Sequence, residues 1–279
     1  MKLFIDVGGT YLRSELHGPA DILRQKVSSQ EHELIAFIES KLAEHLIISF
    51  IGISFAGQVY KGEILSSPNL HISQPKIKEY FESRYTLRLE IDNDLNCAVM
   101  AEADYFKSDS VLALYIGTGI GSALIDEGRL VRGTHNQAFE IGHIPYKESP
   151  FTCGCGKTNC LELFASGSGL NKWMEYFHMH DLPLNELEKF QDKKSTDVTS
   201  NFKEALLFCT ATLITLSNPK IIVFGGGVMK RNAYLLEWLK ENLPGYAFAN
   251  ALDDVRMLAT SLNNGSMEGA KLLEENFYA

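Results

Sequence analysis

The chain has 279 residues, enough for one large domain or two of ordinary size. Hydrophobic residues make up 45% and charged residues 22%, which is typical of a globular protein and excludes a disordered one. The formal net charge of −9 argues against a nucleic-acid-binding protein, and no apolar run approaches the ~18 residues of a membrane span. The charge does not exclude anionic ligands, because backbone amides bind phosphate without lysine.

The N-terminus and the cysteines predict the cellular compartment. The segment M-K-L-F-I-D-V-G-G-T does not resemble a secretory signal peptide, because Asp6 interrupts its apolar run and no small-residue cleavage site follows. The five cysteines are odd in number and irregularly spaced, which argues against a disulfide framework. We therefore expect a cytoplasmic protein with no membrane or nucleic-acid partner.

Strand and helix patterns alternate through the first half of the chain. Glycine turns separate three short strands, and an apolar residue at every fourth position then predicts an amphipathic helix. That stripe consists of Leu34, Ile38, Leu42 and Leu46. The predicted strands cover residues 2–7, 10–17, 22–27, 47–54 and 87–91, and further helices are predicted at 76–85 and 94–106.

The second half begins in the same way as the first. D-V-G-G-T-Y-L-R-S and Y-I-G-T-G-I-G-S-A both read as strand, glycine turn and strand, about 110 residues apart. We expect strands at 111–116, 120–126 and 220–224, helices at 161–178 and 202–217, and a polar surface segment at 182–200. Together these patterns predict a duplicated α/β architecture with mixed sheets and two lobes facing a cleft.

Three glycine turns follow apolar strands, at Gly8-Gly9-Thr10, Gly117-Thr118-Gly119 and Gly225-Gly226-Gly227. Glycine lets the backbone approach a phosphate closely and reach positive φ, so that successive N–H groups can point at one anion. Tight hairpins also require glycine, and for a single turn this simpler explanation is sufficient. The sequence contains no G-x-x-x-x-G-K-[ST], and the second turn does not fit the dinucleotide pattern G-x-G-x-x-G.

Cys153, Cys155 and Cys160 form a C-x-C-x4-C motif, with His143 ten residues upstream. Three thiolates and one imidazole complete a tetrahedral zinc shell, and a closed shell of four protein ligands predicts a structural ion. Ordinary buried thiols or redox cysteines are the alternative interpretation. Cys97 and Cys209 lie in apolar helical segments and are expected in the core.

Several polar side chains have the chemistry of a catalytic or ligand-binding site. Asp94 lies where a strand ends and a helix begins, where its carboxylate could take a proton from a hydroxyl that attacks phosphorus. It could equally cap the helix, although its neighbours could serve as caps too. Glu140 and Glu162 could accept hydrogen bonds from a polyol, and Asn69 is either an amide ligand or a turn residue.

The motifs D-V-G-G-T, D-N-D-x-N, G-T-G-I-G, E-I-G-H, C-G-C-G-K-T-N-C-L-E and G-G-G-V occur in the order found in ROK-family sugar kinases, which include bacterial glucokinases and the N-acetylmannosamine and N-acetylglucosamine kinases. The chain resembles this family from residue 6 to about residue 228. The resemblance implies the actin-like ATPase fold, a duplicated ribonuclease H-like architecture of two α/β lobes. It also implies ATP with Mg²⁺, a structural Zn²⁺ and a homodimer.

The resemblance also implies a role for each matching residue. Asp94 would be the catalytic base, with sugar contacts from Asn69, Asn93, Glu140, His143 and Glu162. The first phosphate loop would consist of Asp6, Gly8, Gly9 and Thr10, the second of Gly117, Thr118 and Gly119, and the adenosine-side loop of Gly225, Gly226 and Gly227. The zinc ligands would be His143, Cys153, Cys155 and Cys160. The chain departs from the family's usual glycines or small residues at Ser122, Ala123, Phe139 and Asn159.

From these observations we expect an enzyme that phosphorylates a hexose hydroxyl, the 6-OH of glucose or of a related hexose. An N-acetylmannosamine or N-acetylglucosamine kinase is the alternative substrate assignment. A non-catalytic sugar sensor and a zinc-dependent interaction module are the alternatives from other classes. The expected small lobe covers residues 1–109 and 266–279, and the expected large lobe covers residues 110–265.

Overall fold

A computed structural model describes residues 1–45, 47–67 and 70–275. Over these residues the chain forms twelve strands and ten α-helices. The strands are β1 (Lys2–Val7), β2 (Tyr11–His17), β3 (Ile22–Ser28), β4 (Phe50–Phe55), β5 (Gln58–Tyr60), β6 (Glu63–Ser66), β7 (Arg88–Asn93), β8 (Val111–Ile116), β9 (Ile120–Asp126), β10 (Arg129–Leu130), β11 (Ile221–Gly225) and β12 (Arg256–Ala259). The helices are α1 (Leu34–Glu44), α2 (Ile77–Glu82), α3 (Asp94–Phe106), α4 (Gly167–Tyr176), α5 (Leu184–Leu187), α6 (Lys193–Ser217), α7 (Gly226–Arg231), α8 (Tyr234–Asn242), α9 (Ala249–Asp253) and α10 (Gly265–Leu272).

The chain divides into two compact units. The first unit contains residues 1–107, 127–138 and 262–279, and the second contains residues 108–126 and 139–261. Nothing in the sequence pattern signals that the short segment 127–138 belongs to the first unit while the chain on either side of it belongs to the second.

The first unit is built on a mixed sheet in the order β3-β2-β1-β4-β7. The β1–β2 and β2–β3 pairs are antiparallel, whereas β1, β4 and β7 are parallel. Asp6 is in register with Ser54, and Ser54 is in register with Asp92. The carboxyl ends of parallel strands meet at one edge of a sheet, so the strand ends that carry Asp6 and the D-N-D-x-N motif lie at the same edge.

The hydrophobic core of the first unit lies where α1 and α2 pack on this sheet, and α3 and α10 pack against each other and against its parallel strands. The predicted stripe on α1 is confirmed at Leu34, Ile38 and Leu42, which are buried, and Leu46 lies outside the described residues. Helix α10 crosses α3 so closely that a methyl group on Gly269 would overlap the carbonyl of Cys97. This close crossing, which the sequence analysis did not predict, fixes α10 against the helix that begins at the D-N-D-x-N motif.

The second unit repeats the hairpin-and-parallel-strand arrangement of the first. Its strands β9, β8, β11 and β12 lie side by side in that order. The β8–β9 pair is antiparallel around the second glycine turn, and β8, β11 and β12 are parallel. The prediction of an α/β fold with mixed sheets is therefore confirmed.

Several predicted elements are wrong in their bounds or their type. The segment 182–200 is not a polar surface excursion, because α6 already begins at Lys193, where Asp192 caps it, and because Leu184 and Leu187 are buried. The predicted helix at 161–178 is a 3₁₀ turn at Leu161–Leu163 followed by α4. Strand β12, helix α8 and the β5–β6 hairpin were not predicted. Among the described residues, the structure contains no helix long and apolar enough to cross a membrane.

Candidate functional site

The first glycine turn closes the β1–β2 hairpin. The backbone N–H of Gly8 donates to the carbonyl of Tyr11 at 2.9 Å. Asp6, near the end of β1, is buried, and its Oδ2 accepts hydrogen bonds from Nη1 of Arg13 and Nδ2 of Asn264, both at 3.0 Å. The structure thus brings together the predicted phosphate-loop residues Asp6, Gly8, Gly9 and Thr10.

Backbone conformation requires glycine at only one position in the three turns. Gly226 has φ of +88° and lies directly against the backbone of Ile116. The other glycines of these turns lie outside the left-handed region. A Cβ atom on Gly117 or Gly227 would meet no other atom within 4 Å. The hairpin explanation therefore does not account for Gly117 or Gly227, where glycine instead leaves space open.

The D-N-D-x-N motif places Asp94 at the first position of α3. Asn93 caps this helix, because its Oδ1 accepts the backbone N–H groups of Leu95 at 2.9 Å and Asn96 at 3.3 Å. Nδ2 of Asn93 donates to the carbonyl of Gly57 at 3.1 Å. The capping role considered for Asp94 thus belongs to Asn93. The half-buried Asp94 carboxylate also accepts the Leu95 N–H at 3.0 Å.

The second and third glycine turns line one cavity in the second unit. Helix α4 begins on the second turn, where Gly167 N–H donates to Gly117 O and Ser168 N–H to Thr118 O, both at 2.9 Å. The third turn begins α7, and Gly227 lies on the cavity wall together with Gly117 and Thr118. The cavity has a volume of about 570 Å³, and its further lining residues include Asn171, Asp181, Arg231 and Asn232.

Glu162 connects the second glycine turn to the cysteine motif. Its Oε2 accepts the backbone N–H of Ile120 at 3.3 Å, and Oε1 lies 3.6 Å from Sγ of Cys153. A Cβ atom on Gly119 would lie 2.5 Å from Oε2. Any larger residue at position 119 would therefore displace the Glu162 carboxylate, which explains glycine at this position.

Glu140 and Glu162 influence each other electrostatically in the same unit. Desolvation raises the pKa of Glu140, the neighbouring His143 lowers that pKa, and the negative charge of Glu162 raises it. The net result is a pKa above the ordinary glutamate value. Two acidic groups that share a region in this way are suited to accept hydrogen bonds from neighbouring hydroxyls. Asn69, predicted to contribute an amide, lies outside the described residues.

The predicted metal ligands His143, Cys153, Cys155 and Cys160 form one cluster, in which the ligand atoms all lie within 4.8 Å of one another. Nδ1 of His143 is 3.6 Å from Sγ of Cys153, and the Sγ atoms of Cys155 and Cys160 are 3.3 Å apart. Ligands around a tetrahedral Zn²⁺ at Zn–S distances of 2.3 Å are about 3.8 Å apart. The donor set and its spacing therefore fit zinc.

Backbone pairing holds the two parts of this cluster together. Tyr146 N–H donates to Asn159 O at 2.8 Å, and Leu161 N–H donates to Ile144 O at 3.1 Å. The segment after E-I-G-H thus pairs with the segment around the third cysteine. Burial raises the pKa of the Cys160 thiol to about 12, and the neighbouring cysteines add to that shift. A cation would reverse this preference by stabilising the thiolates.

Further side chains that the sequence motifs did not single out contact Asp6, a predicted site residue, and Asp92, which belongs to the D-N-D-x-N motif but was not predicted as a site residue. Asn264 donates to Asp6, whereas Arg132 and Asn136 bind the carboxylate of Asp92. The sequence carries no local signal for these contacts, because each joins segments that are far apart in the chain.

The comparison with known families agrees with this geometry. Residues 3–276 match the family model described as the ROK family. The chain belongs to the ROK family. The family prediction from the motifs is confirmed.

ROK-family relatives differ in the sugar that their names specify. An N-acetyl-D-glucosamine kinase from Erwinia tasmaniensis is 29% identical, over 70% of this chain and 69% of its own length. A glucokinase from Halalkalibacterium halodurans is 26% identical, over 97% of this chain and 94% of its own. A solved structure from Listeria monocytogenes, described as a candidate N-acetylmannosamine kinase, has a TM-score of 0.80 at 27% identity and covers 99% of both chains. The predicted actin-like ATPase fold of ROK sugar kinases is thereby confirmed.

Proposed function

We propose that this protein transfers the γ-phosphoryl group of ATP to a hydroxyl of a hexose, the 6-OH of glucose or a related hexose. The observation that carries the proposal is the cavity of the second unit, where Gly117, Thr118 and Gly227 line one space. Glycine at positions 117 and 227 is not needed for packing or for φ, but it leaves room for a phosphate or a ribose close to the backbone.

The nucleotide is assigned to this cavity. Gly117, Thr118 and Gly119 form the proposed second phosphate loop, and Gly225, Gly226 and Gly227 form the proposed adenosine-side loop. Gly8, Gly9 and Thr10 form the proposed first phosphate loop. Magnesium, which neutralises phosphate charge in such reactions, would be held through water by Asp6, whose Oδ2 is oriented by Arg13 and Asn264.

Asp94 is the proposed general base. In the proposed step the carboxylate of Asp94 accepts the proton of the sugar hydroxyl as its oxygen forms a bond to the γ-phosphorus. The bond from that phosphorus to the β–γ bridging oxygen breaks, and ADP leaves with the electron pair. The Asn93 cap supports this role, because Oδ1 of Asn93 accepts the N–H groups of Leu95 and Asn96 and so caps α3 directly before Asp94.

Asn69, Asn93, Glu140, His143 and Glu162 are the proposed sugar contacts. The carboxylates of Glu140 and Glu162 would accept hydrogen bonds from adjacent hydroxyls, and His143 would present the ring nitrogen that does not face the cysteines. Relatives named for N-acetylglucosamine and for glucose are similarly distant, so an N-acetylhexosamine is the alternative substrate.

Zinc is the proposed ion of the cysteine cluster, with a structural role. His143, Cys153, Cys155 and Cys160 would occupy all four tetrahedral positions, which leaves none for water or substrate. The zinc ion would thereby fix the positions of two proposed sugar contacts. His143 is itself a ligand and belongs to E-I-G-H, and Glu162 follows the ligand Cys160 by two residues. A homodimer and a cytoplasmic location stay predictions from the resemblance and the sequence.

A coupled ADP-release assay with glucose, N-acetylmannosamine, N-acetylglucosamine and fructose tests the proposal. We expect sugar-dependent ADP release with at least one of these sugars. A sugar sensor would bind a sugar and be protected against thermal unfolding, by ~2.7 kcal/mol at 100 times the Kd, but would release no ADP. An interaction module would show neither sugar protection nor ATP binding, and either outcome would contradict the proposal.

A further inference from the structure

Asp92 is a buried carboxylate with a complete set of hydrogen-bond donors. Asp92 is only 3% exposed to solvent. Oδ1 accepts the backbone N–H of Asn93 at 2.7 Å, Nδ2 of Asn96 at 2.9 Å and Nδ2 of Asn136 at 3.0 Å. Oδ2 accepts from Nη1 of Arg132. A buried carboxylate is costly unless it is paired and hydrogen-bonded in this way.

The side-chain amide of Asn136 both donates and accepts hydrogen bonds in this network. It has φ of +58°, a conformation that asparagine tolerates better than most residues. Nδ2 donates to Val59 O at 2.8 Å as well as to Asp92, and Oδ1 accepts from Asn96 at 3.1 Å and from Arg132 at 3.2 Å. Asn136 therefore joins the β5 strand, the carboxylate of Asp92 and the guanidinium of Arg132.

The geometry points to Arg132 and Asn136 as positioning residues for the proposed base, an inference that rests on the proposed function. They act through Asp92, which binds the N–H of Asn93, the residue that caps α3 directly before Asp94. Neither touches the reacting atoms in this account. Their role is to hold the backbone from which the Asp94 side chain projects.

Loss of Arg132 would remove the cation that forms an ion pair with the buried carboxylate of Asp92. The turn would then relax to bring water to that carboxylate, and the Asn93 cap would shift with it. Displacement of a reacting group by about 1 Å costs on the order of 100-fold in rate, and the residues assigned to the nucleotide lie outside this turn.

The test compares Arg132→Gln with the wild-type chain. Calorimetric titration with the sugar first gives the number of protein molecules that bind it. The rate of sugar-dependent ADP release is then divided by that number. We expect kcat to fall about 100-fold and KM for ATP to stay within about twofold. Arg88→Gln is the matched control, because it removes a guanidinium from the strand that carries Asp92 but contacts Glu90 and Glu274 instead. Its kcat should not change.

A second readout does not depend on activity. Hydrogen exchange of the Leu95 and Asn96 amides, which Asn93 caps, should accelerate about tenfold in Arg132→Gln and not in Arg88→Gln. The double variant Arg132→Gln with Asp92→Asn removes both charges and should recover part of this protection.

The outcomes separate this inference from the proposed function. If the wild-type chain has no kinase activity but the Leu95 and Asn96 amides exchange faster in Arg132→Gln, the proposed function is overturned. The link between Arg132 and the α3 cap is then still supported. An active wild type with unchanged kcat and unchanged exchange in Arg132→Gln would overturn the positioning role. A loss of kcat fully explained by fewer sugar-binding molecules would also overturn it, because the role would then be only structural.

Discussion

The hydroxyl of Ser122 donates a hydrogen bond to the carbonyl of Phe139 at 2.7 Å. Phe139 has φ of +65°, a left-handed conformation that a phenylalanine rarely adopts. The Ser122 hydrogen bond joins strand β9 to this residue. It holds the residue directly before Glu140 in a strained conformation that the fold must stabilise.

Replacement of Ser122 by alanine should weaken that link. The Phe139 carbonyl would lose one of two donors and keep the Ile141 N–H at 2.7 Å, so we expect the free energy of unfolding to fall by at most about 1 kcal/mol and KM for the sugar to rise. Urea unfolding and steady-state kinetics measure the two effects. Ser217→Ala is the control, because its hydroxyl bonds only to Leu213 O within α6. A Ser122→Ala variant with the wild-type KM for sugar would show that the bond does not position Glu140.

Gly117→Ala should separate folding from nucleotide binding. The added methyl group meets no atom of the protein, so stability should be unchanged or rise by about 0.4 to 1 kcal/mol through the unfolded state. KM for ATP should rise, because the methyl group fills space assigned to a phosphate. Gly245→Ala is the matched control, because a Cβ atom there also meets no atom within 4 Å and the residue lies outside the proposed loops. Equal KM values for ATP in the two variants would contradict the assignment of the second phosphate loop.

The chain should contain one tightly bound Zn²⁺. Inductively coupled plasma mass spectrometry should find about one zinc per wild-type chain, little in Cys155→Ser, and the full amount in Cys209→Ala, which removes a buried core thiol. Chelation should raise KM for the sugar, because His143 and Glu162 lose their fixed positions. A zinc-free wild type that retains full sugar affinity would contradict this role.

Glu15 should stabilise the first unit in a pH-dependent way. Burial works to raise the pKa of Glu15, but hydrogen bonds from His17, Lys271 and Arg24 outweigh it and lower that pKa from 4.5 to about 2. A depressed carboxyl pKa contributes stability above the unfolded-state value, and this contribution is lost as pH falls from 4.5 through about 2.

Glu15→Gln should therefore lower the free energy of unfolding by about 2 to 3 kcal/mol at pH 7. The difference from wild type should shrink as the pH is lowered below 4.5, as urea titrations at several pH values would show. Glu79→Gln, at an exposed carboxylate of α2, should change little at any pH. A difference for Glu15→Gln that is independent of pH would contradict the ion-pair explanation.

The parts of the fold that sequence predicts well are those with local patterns. The two glycine hairpins and their apolar strands are visible because the alternation and the turn signals lie within about ten residues. The beginning of α6 is not visible in this way. Lys193 to Ser200 is rich in polar residues, but Asp192 caps the helix there and Ser195, Val198 and Thr199 are buried.

The residues of the candidate site also divide into those that a local sequence pattern predicts and those that it does not. The zinc ligands could be predicted because three of the four lie within eight residues, and the structure brings His143 to them. Arg132 could not be predicted, because its partner Asp92 is 40 residues away and the pairing depends on how the chain folds. The same holds for Asn264, whose partner Asp6 is 258 residues away.

ADP release by Asp94→Asn tests the central claim most directly. The substitution keeps the size of the side chain but removes the base, so we expect sugar-dependent turnover to fall by about 10² to 10⁴ while the Kd for the sugar is nearly unchanged. Asp104→Asn is the control, at an exposed carboxylate of α3 that pairs with Lys107, and it should turn over like wild type. Turnover of Asp94→Asn within about tenfold of wild type would contradict the account, because no general base would then be required at this position.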